Sequence, residues 1–152
     1  MYPIRLLTVG RPKLEACRQL ESHYKEMLKA YCRLEHLEIS EGRGDVVRQL
    51  KEEAARLRPI LLEARCPVLL DAQGTSRSSE SWARWLGDHM DRGDSLVFAV
   101  GSSHGFDPAL KADVSERLSL SPMTFPHDLS RILFLEQLYR AFAILKGKTY
   151  HK

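Results

Sequence analysis

The sequence predicts a single α/β domain over residues 1–152, with a mostly parallel sheet carrying helices on both faces. Three observations lead there. Segments with strand character alternate with segments of helical period along the whole chain. Two of the strands, Pro67-Val68-Leu69-Leu70-Asp71 and Leu96-Val97-Phe98-Ala99-Val100, are continuously apolar, as strands covered on both faces are. Neither internal repeats nor a low-complexity linker divides the chain, and 152 residues at 43% hydrophobic suffice for one core.

In order, residues 2–9 (YPIRLLTV) form the first expected strand, ending at Gly10. A helix opens at Pro12, with Leu14, Cys17, Leu20, Tyr24, Met27 or Leu28, and Tyr31 recurring at helical spacing. Leu34, Leu37 and Ile39 suggest a second strand. The Gly42-Arg43-Gly44-Asp45 run reads as a turn with Asp45 as N-cap, not as an adhesion motif. The helix after it has Val46, Val47, Leu50, Leu57, Ile60 and Leu61 inside, with Pro59 as a kink or break. After the strand ending at Asp71, residues 72–75 are expected to turn. Ser78-Ser79-Glu80 starts a helix bearing Trp82, Trp85, Leu86 and Met90, ending at Gly93-Asp94. Asp107-Pro108 opens a short helix, and a brief strand is expected over residues 117–120. The last helix begins near Pro126, with Leu129, Ile132, Leu133, Leu135, Leu138, Tyr139, Phe142 and Leu145 as its inner face, and ends around Lys146-Gly147.

Composition narrows the function. No apolar run can span a bilayer, and MYPIRLLTVG has no stretch of signal-peptide length. Three cysteines without CxxC spacing fit buried thiols in a reduced, cytoplasmic setting. Singly scattered histidines argue against a metal. The net charge is +3, yet residues 129–152 carry Arg131, Arg140, Lys146, Lys148 and Lys152 against Glu136 alone. That excess fits an anionic partner such as RNA, and equally fits cations at a helix C-terminus.

Ligands of open α/β sheets sit beyond the carboxyl ends of the strands. Here those ends are Leu70-Asp71, Val100-Gly101 and Leu120-Ser121. Gly101-Ser102-Ser103-His104-Gly105 lacks dinucleotide spacing, matches G-x-S-x-G with Ser103 as a would-be nucleophile, and also reads as a loop approaching a ligand by its backbone. The late helix start at Asp107-Pro108 counts against the hydrolase. Gly147-Lys148-Thr149 follows a helix rather than a strand and is no phosphate loop. Across residues 119–127, Leu120, Met123 and Phe125 offer a wall for an adenine, although such residues are more often core. Tyr150-His151-Lys152 reads as a frayed tail or as a compact RNA-contacting set.

Phe98-Ala99-Val100-Gly101, Ser119 through His127, Glu136-Gln137-Leu138-Tyr139-Arg140-Ala141-Phe142 and Tyr150-His151-Lys152 together resemble the ribosomal RNA large subunit methyltransferase H family. The resemblance extends to residues 4–10 and to the Leu69-Leu70-Asp71-x-x-Gly74 turn. It implies a SPOUT fold with a C-terminal trefoil knot and a homodimer acting on 23S rRNA of the ribosome, methylating N3 of a pseudouridine. It also implies S-adenosylmethionine as cofactor, held by Leu70, Gly101, Leu120, Ser121, Pro122, Met123, Thr124 and Phe125. Arg140, Tyr150 and His151 are then the catalytic and substrate-contacting candidates. The family usually shows Gly-Gly where this chain has Gly101-Ser102. A positive φ at Ser102 would strain the loop and favour a second reading, a ribosome-associated module without turnover.

Overall fold

The structure is a computed structural model and describes residues 1–151. Five strands form one parallel sheet: β1 (Tyr2–Val9), β2 (Cys32–Ile39), β3 (Cys66–Ser76), β4 (Leu96–Val100) and β5 (Glu116–Ser119). Their order is β2-β1-β4-β3-β5. The helices are α1 (Glu15–Leu28), α2 (Val46–Glu63), α3 (Ser79–Asp91), α4 (Pro108–Asp113) and α5 (His127–Leu145).

Side-chain alternation along the central strands builds two cores. Ile4, Leu6, Phe98 and Val100 face the layer of α1, α3 and α5, where they meet Leu28, Trp82, Phe134 and Leu138. Leu7, Val9, Val97 and Ala99 face α2 and α4, against Leu57, Leu61 and Leu110. The chain therefore changes faces between α4 and α5, through β5 and residues 120–126.

Several local expectations hold. Asp45 caps α2, its Oδ1 accepting from the Arg48 N–H at 2.9 Å. Ser78 caps α3 in the same way through Ser81. Pro108 occupies the first turn of α4, although the Asp107 side chain makes no cap hydrogen bond. The three cysteines are free and buried. Burial pushes the Cys32 thiol up to about 12 and, with carboxylates nearby, that of Cys66 to about 11, so both stay inert.

Others are corrected. Residues 72–75 do not end β3; the strand continues to Ser76, bulging against β5 between Leu70 and Thr75. Gly74 is required there, because a Cβ would lie 2.6 Å from the Arg117 carbonyl oxygen. Pro59 leaves α2 undivided: Ala55, whose carbonyl loses its partner, is exposed and can be hydrated. Helix α1 stops at Leu28, and Tyr31 instead stacks on Phe142. Leu14, Leu20, Val46 and Val47 are exposed rather than inward, as are Leu129, Leu133 and Leu145 of α5.

Candidate functional site

The bulge of β3 and the carboxyl ends of β4 and β5 open into a cleft of about 390 Å³, large enough for a nucleoside-sized ligand. Of the residues expected to hold a cofactor, Leu70, Gly101, Leu120, Ser121, Met123, Thr124 and Phe125 line it; Pro122 does not. Met123 and Phe125 are not core residues: Met123 is 75% exposed and Phe125 37%. The cleft therefore has an apolar wall open to solvent. Ser121 shapes its own loop, its Oγ accepting from the Met123 N–H at 3.0 Å. On the other side, the Ser119 hydroxyl donates to the Ala72 carbonyl and ties β5 to the β3 bulge.

The glycine loop is a tight turn closed by the Gly105 N–H donating to the Ser102 carbonyl at 2.9 Å. A Cβ on Gly101 would sit 2.6 Å from the Gly105 carbonyl oxygen, so glycine here serves closure of the loop on itself. Gly105 takes the left-handed conformation, with φ +80. Among the described residues no non-glycine has a positive φ, so Ser102 fits without backbone strain. That removes the only support for a module that has lost turnover. Helix α4 begins only at Pro108, five residues beyond Ser103. The strand-to-helix elbow of a serine hydrolase is therefore missing.

One ion pair escaped the sequence reading. Asp71 meets the Lys111 ammonium at 2.9 Å on the cleft wall. Burial works against its charge, but the Gln73 N–H and Lys111 outweigh it and hold the carboxyl below its usual range. Nothing in the sequence pairs positions forty residues apart.

The second group of candidates lies away from this cleft, on α5 and the tail that follows it. Arg140 donates to Glu136 one turn earlier, Nε to Oε1 at 3.0 Å, and stacks on the Tyr150 ring at 5.0 Å. The Tyr150 hydroxyl also donates to Glu136, at 3.2 Å, and its ring meets Tyr139 edge-on. Burial first, then the Glu136 charge, pushes the Tyr150 phenol up to about 12. His151 bridges Arg140, 3.2 Å from Nδ1, and Glu80, 2.7 Å from Nε2. Since a guanidinium can only donate, Nδ1 accepts and Nε2 carries the proton toward Glu80. The stretch read as a possible frayed tail is docked through Tyr150 and His151; Lys152 lies outside the described residues. None of Arg140, Tyr150 and His151 lines the cleft of its own chain.

The basic excess of residues 129–152 is smaller in space than in sequence. Arg131 is buried, 1% exposed, and clamps Glu21 through Nε at 2.6 Å and Nη2 at 3.2 Å. Its Nη1 donates to the Gly10 carbonyl. Glu21, His36 and Glu38 converge within 4.8 Å. The Arg131 guanidinium already faces these three side chains, so Arg131 is an internal counter-ion and is withdrawn from the RNA-facing set. Lys146 and Lys148 remain exposed.

Comparison with known proteins agrees with this layout. The family model described as predicted SPOUT methyltransferase matches residues 2–151. Ribosomal RNA large subunit methyltransferase H of Gloeobacter violaceus is 41% identical over 149 residues, covering 97% of each chain. The protein of that name from Koribacter versatilis is 37% identical, again with 97% of each chain covered. That from Caldicellulosiruptor saccharolyticus is 36% identical over 153 residues, 98% of this chain and 99% of its own.

Proposed function

The chain belongs to the SPOUT methyltransferase family, and on that premise we propose that it methylates N3 of a pseudouridine in 23S rRNA. Membership implies the C-terminal trefoil knot, and residues 120–126 carry the chain from one face of the sheet to the other. The protein is an S-adenosylmethionine-dependent methyltransferase. Its cleft suits that cofactor: Leu120, Met123 and Phe125 offer an apolar wall, Gly101 admits no side chain, and the hydroxyl of buried Ser102 has no partner among the described residues.

When bound, the cofactor supplies a methyl group on a sulfonium, open to direct displacement. The residues of the chain do the rest. Residues 120–125 and Gly101 would hold the donor in line with the acceptor nitrogen, and that alignment supplies much of the acceleration. The acceptor imide N–H must lose its proton. Arg140, a permanent cation, would stabilise the resulting negative charge on the base, and Tyr150 would stack against it. His151 can take a proton at Nδ1 once Arg140 turns from it toward the substrate.

The observation that carries this reading is the pairing of an open-walled cleft at the strand ends with an ordered Arg140-Tyr150-His151 cluster outside it. A homodimer would bring the two together, the tail of one protomer meeting the cleft of the other. The exposed side chains of Leu14 at the start of α1, Leu20 on α1, Leu129 and Leu133 on α5, and Phe125 support such an interface. Ribosomes place the reaction in the cytoplasm. Mapping the methylated nucleotide in rRNA with and without the protein tests the substrate. A chain ending at Thr149 is expected to bind cofactor as the parent does and to transfer no methyl group. Unchanged transfer refutes the role given to Tyr150 and His151.

A further inference from the structure

Ser102 follows Gly101 inside the closed glycine loop, and its surroundings are unusual for a hydroxyl. The residue lines the cleft and is 7% exposed. Its Oγ is buried and finds no hydrogen-bond partner among the described residues. Its backbone is already committed, since the Ser102 carbonyl accepts from the Gly105 N–H and the two residues form an isolated bridge. Buried polar side chains in folded proteins nearly always have a partner, and an orphaned one weakens the fold. Strain cannot explain the residue, because the backbone at Ser102 is of a kind any amino acid adopts. Packing cannot explain it either, because an alanine would fill nearly the same space without the orphan.

We propose that Ser102 is a cofactor-binding residue, its hydroxyl left unpaired in the free protein and completed by a polar group of the bound S-adenosyl ligand. The assignment rests on the cofactor reading given above. It makes the hydroxyl a positive contribution to affinity at a position where the sequence had suggested only a tolerated departure from glycine. A hydroxyl both donates and accepts, so the donor and its demethylated product, S-adenosylhomocysteine, engage it alike through the groups they share.

The free protein and the bound protein respond to its removal with opposite signs, which separates this role from a structural one. In Ser102→Ala, the dissociation constants for S-adenosylmethionine and for S-adenosylhomocysteine, measured by calorimetry, rise about five- to tenfold, the worth of one hydrogen bond. The thermal midpoint of the unliganded variant stays level or rises, because the orphan is gone. Ser102→Gly, which also lacks the hydroxyl, shows the same loss of affinity and guards against an effect of the alanine methyl. Unchanged affinity in both variants overturns the proposal, as does a fall in the unliganded midpoint with affinity intact, which would make the hydroxyl a structural group. If the parent protein binds neither ligand, the cofactor reading fails and the proposal goes with it.

Discussion

The Arg140 guanidinium reaches back one helical turn to the Glu136 carboxylate, Nε to Oε1 at 3.0 Å, and the same oxygen accepts from the Tyr150 hydroxyl at 3.2 Å. Glu136 also accepts from the Gln137 amide at 3.0 Å. One half-buried carboxylate thus orients the helix cation and the first aromatic residue of the tail together, and its hydrogen bond is the main reason the Arg140 pKa is raised further.

Glu136→Gln is therefore expected to lower methyl transfer on the order of a hundredfold, since misplaced stabilising groups lose most of their effect. Cofactor affinity should not change, because Glu136, Arg140 and Tyr150 all lie outside the cleft. Methyl incorporation into ribosomal particles, read beside calorimetry, separates the two. A matched fall in both would show that Glu136 supports the fold instead.

Arg131 makes a different kind of ion pair. Its side chain is 1% exposed and that of Glu21 8%, so neither charge has water to fall back on. Arg131→Met should cost about 3 to 5 kcal/mol of stability by stranding the Glu21 carboxylate. The double variant Glu21→Gln, Arg131→Met should recover a large part of that loss, since no unpaired charge then remains. Urea unfolding of the parent, the two single variants and the double variant checks this, and simple additivity of the single changes would contradict it.

What the sequence could and could not convey divides along similar lines. The alternation of strands and helices, the Asp45 and Ser78 caps and the ends of β4 and β5 at the cleft were legible, because each depends on residues close in the chain. The inward face of α5 was not. That helix is apolar around most of its circumference, so Leu129 and Leu133 share the spacing of buried Ile132 and Leu135 and yet face solvent. Arg131 looked like a surface cation because its partner Glu21 lies 110 positions away. The β3 bulge escaped notice for the opposite reason: Gly74 resembles a turn glycine, while its real constraint is the Arg117 backbone of a neighbouring strand. The family motifs marked the cleft residues and the tail, but not that the two are apart within one chain.

His36 gives the fold a defined acid sensitivity. Burial, then the charges of Lys25 and Arg131, lowers its pKa to about 4, against about 6.5 in an unfolded chain. Above the higher value the imidazole is neutral in both states and the native fold keeps its full stability. As the pH falls below it, the unfolded chain takes up a proton that the native protein refuses, so stability declines until about pH 4. The loss is at most about 3 kcal/mol. Glu21 and Glu38 also lie beside the ring. His36→Gln should flatten this part of the stability curve, measured as urea midpoints across the range.

Gly101 allows a sharper test of the loop. In Gly101→Ala, the added methyl meets the Gly105 carbonyl oxygen at 2.6 Å and Phe106 at 3.3 Å. The turn must open, costing about 1 to 3 kcal/mol, and cofactor affinity should fall by about tenfold or more as the cleft changes shape. Gly147→Ala, with open space around its Cβ but φ +65, should lose only stability.

The proposed two-part site would make activity depend on association. Leu129 and Leu133 lie one turn apart on α5, 43% and 37% exposed, with Leu20 exposed on the neighbouring α1 and Leu14 exposed just before it. A carboxylate buried in an apolar interface without a partner is costly, so Leu133→Glu should yield a monomer by light scattering. Because Leu133 is exposed in the single chain, its replacement should leave the circular dichroism of the fold unchanged. Methyl transfer should be abolished, since the Arg140 cluster of one chain then has no cleft to meet. A monomeric variant with full transfer would show that one chain brings its own tail to its own cofactor, and would overturn the shared site.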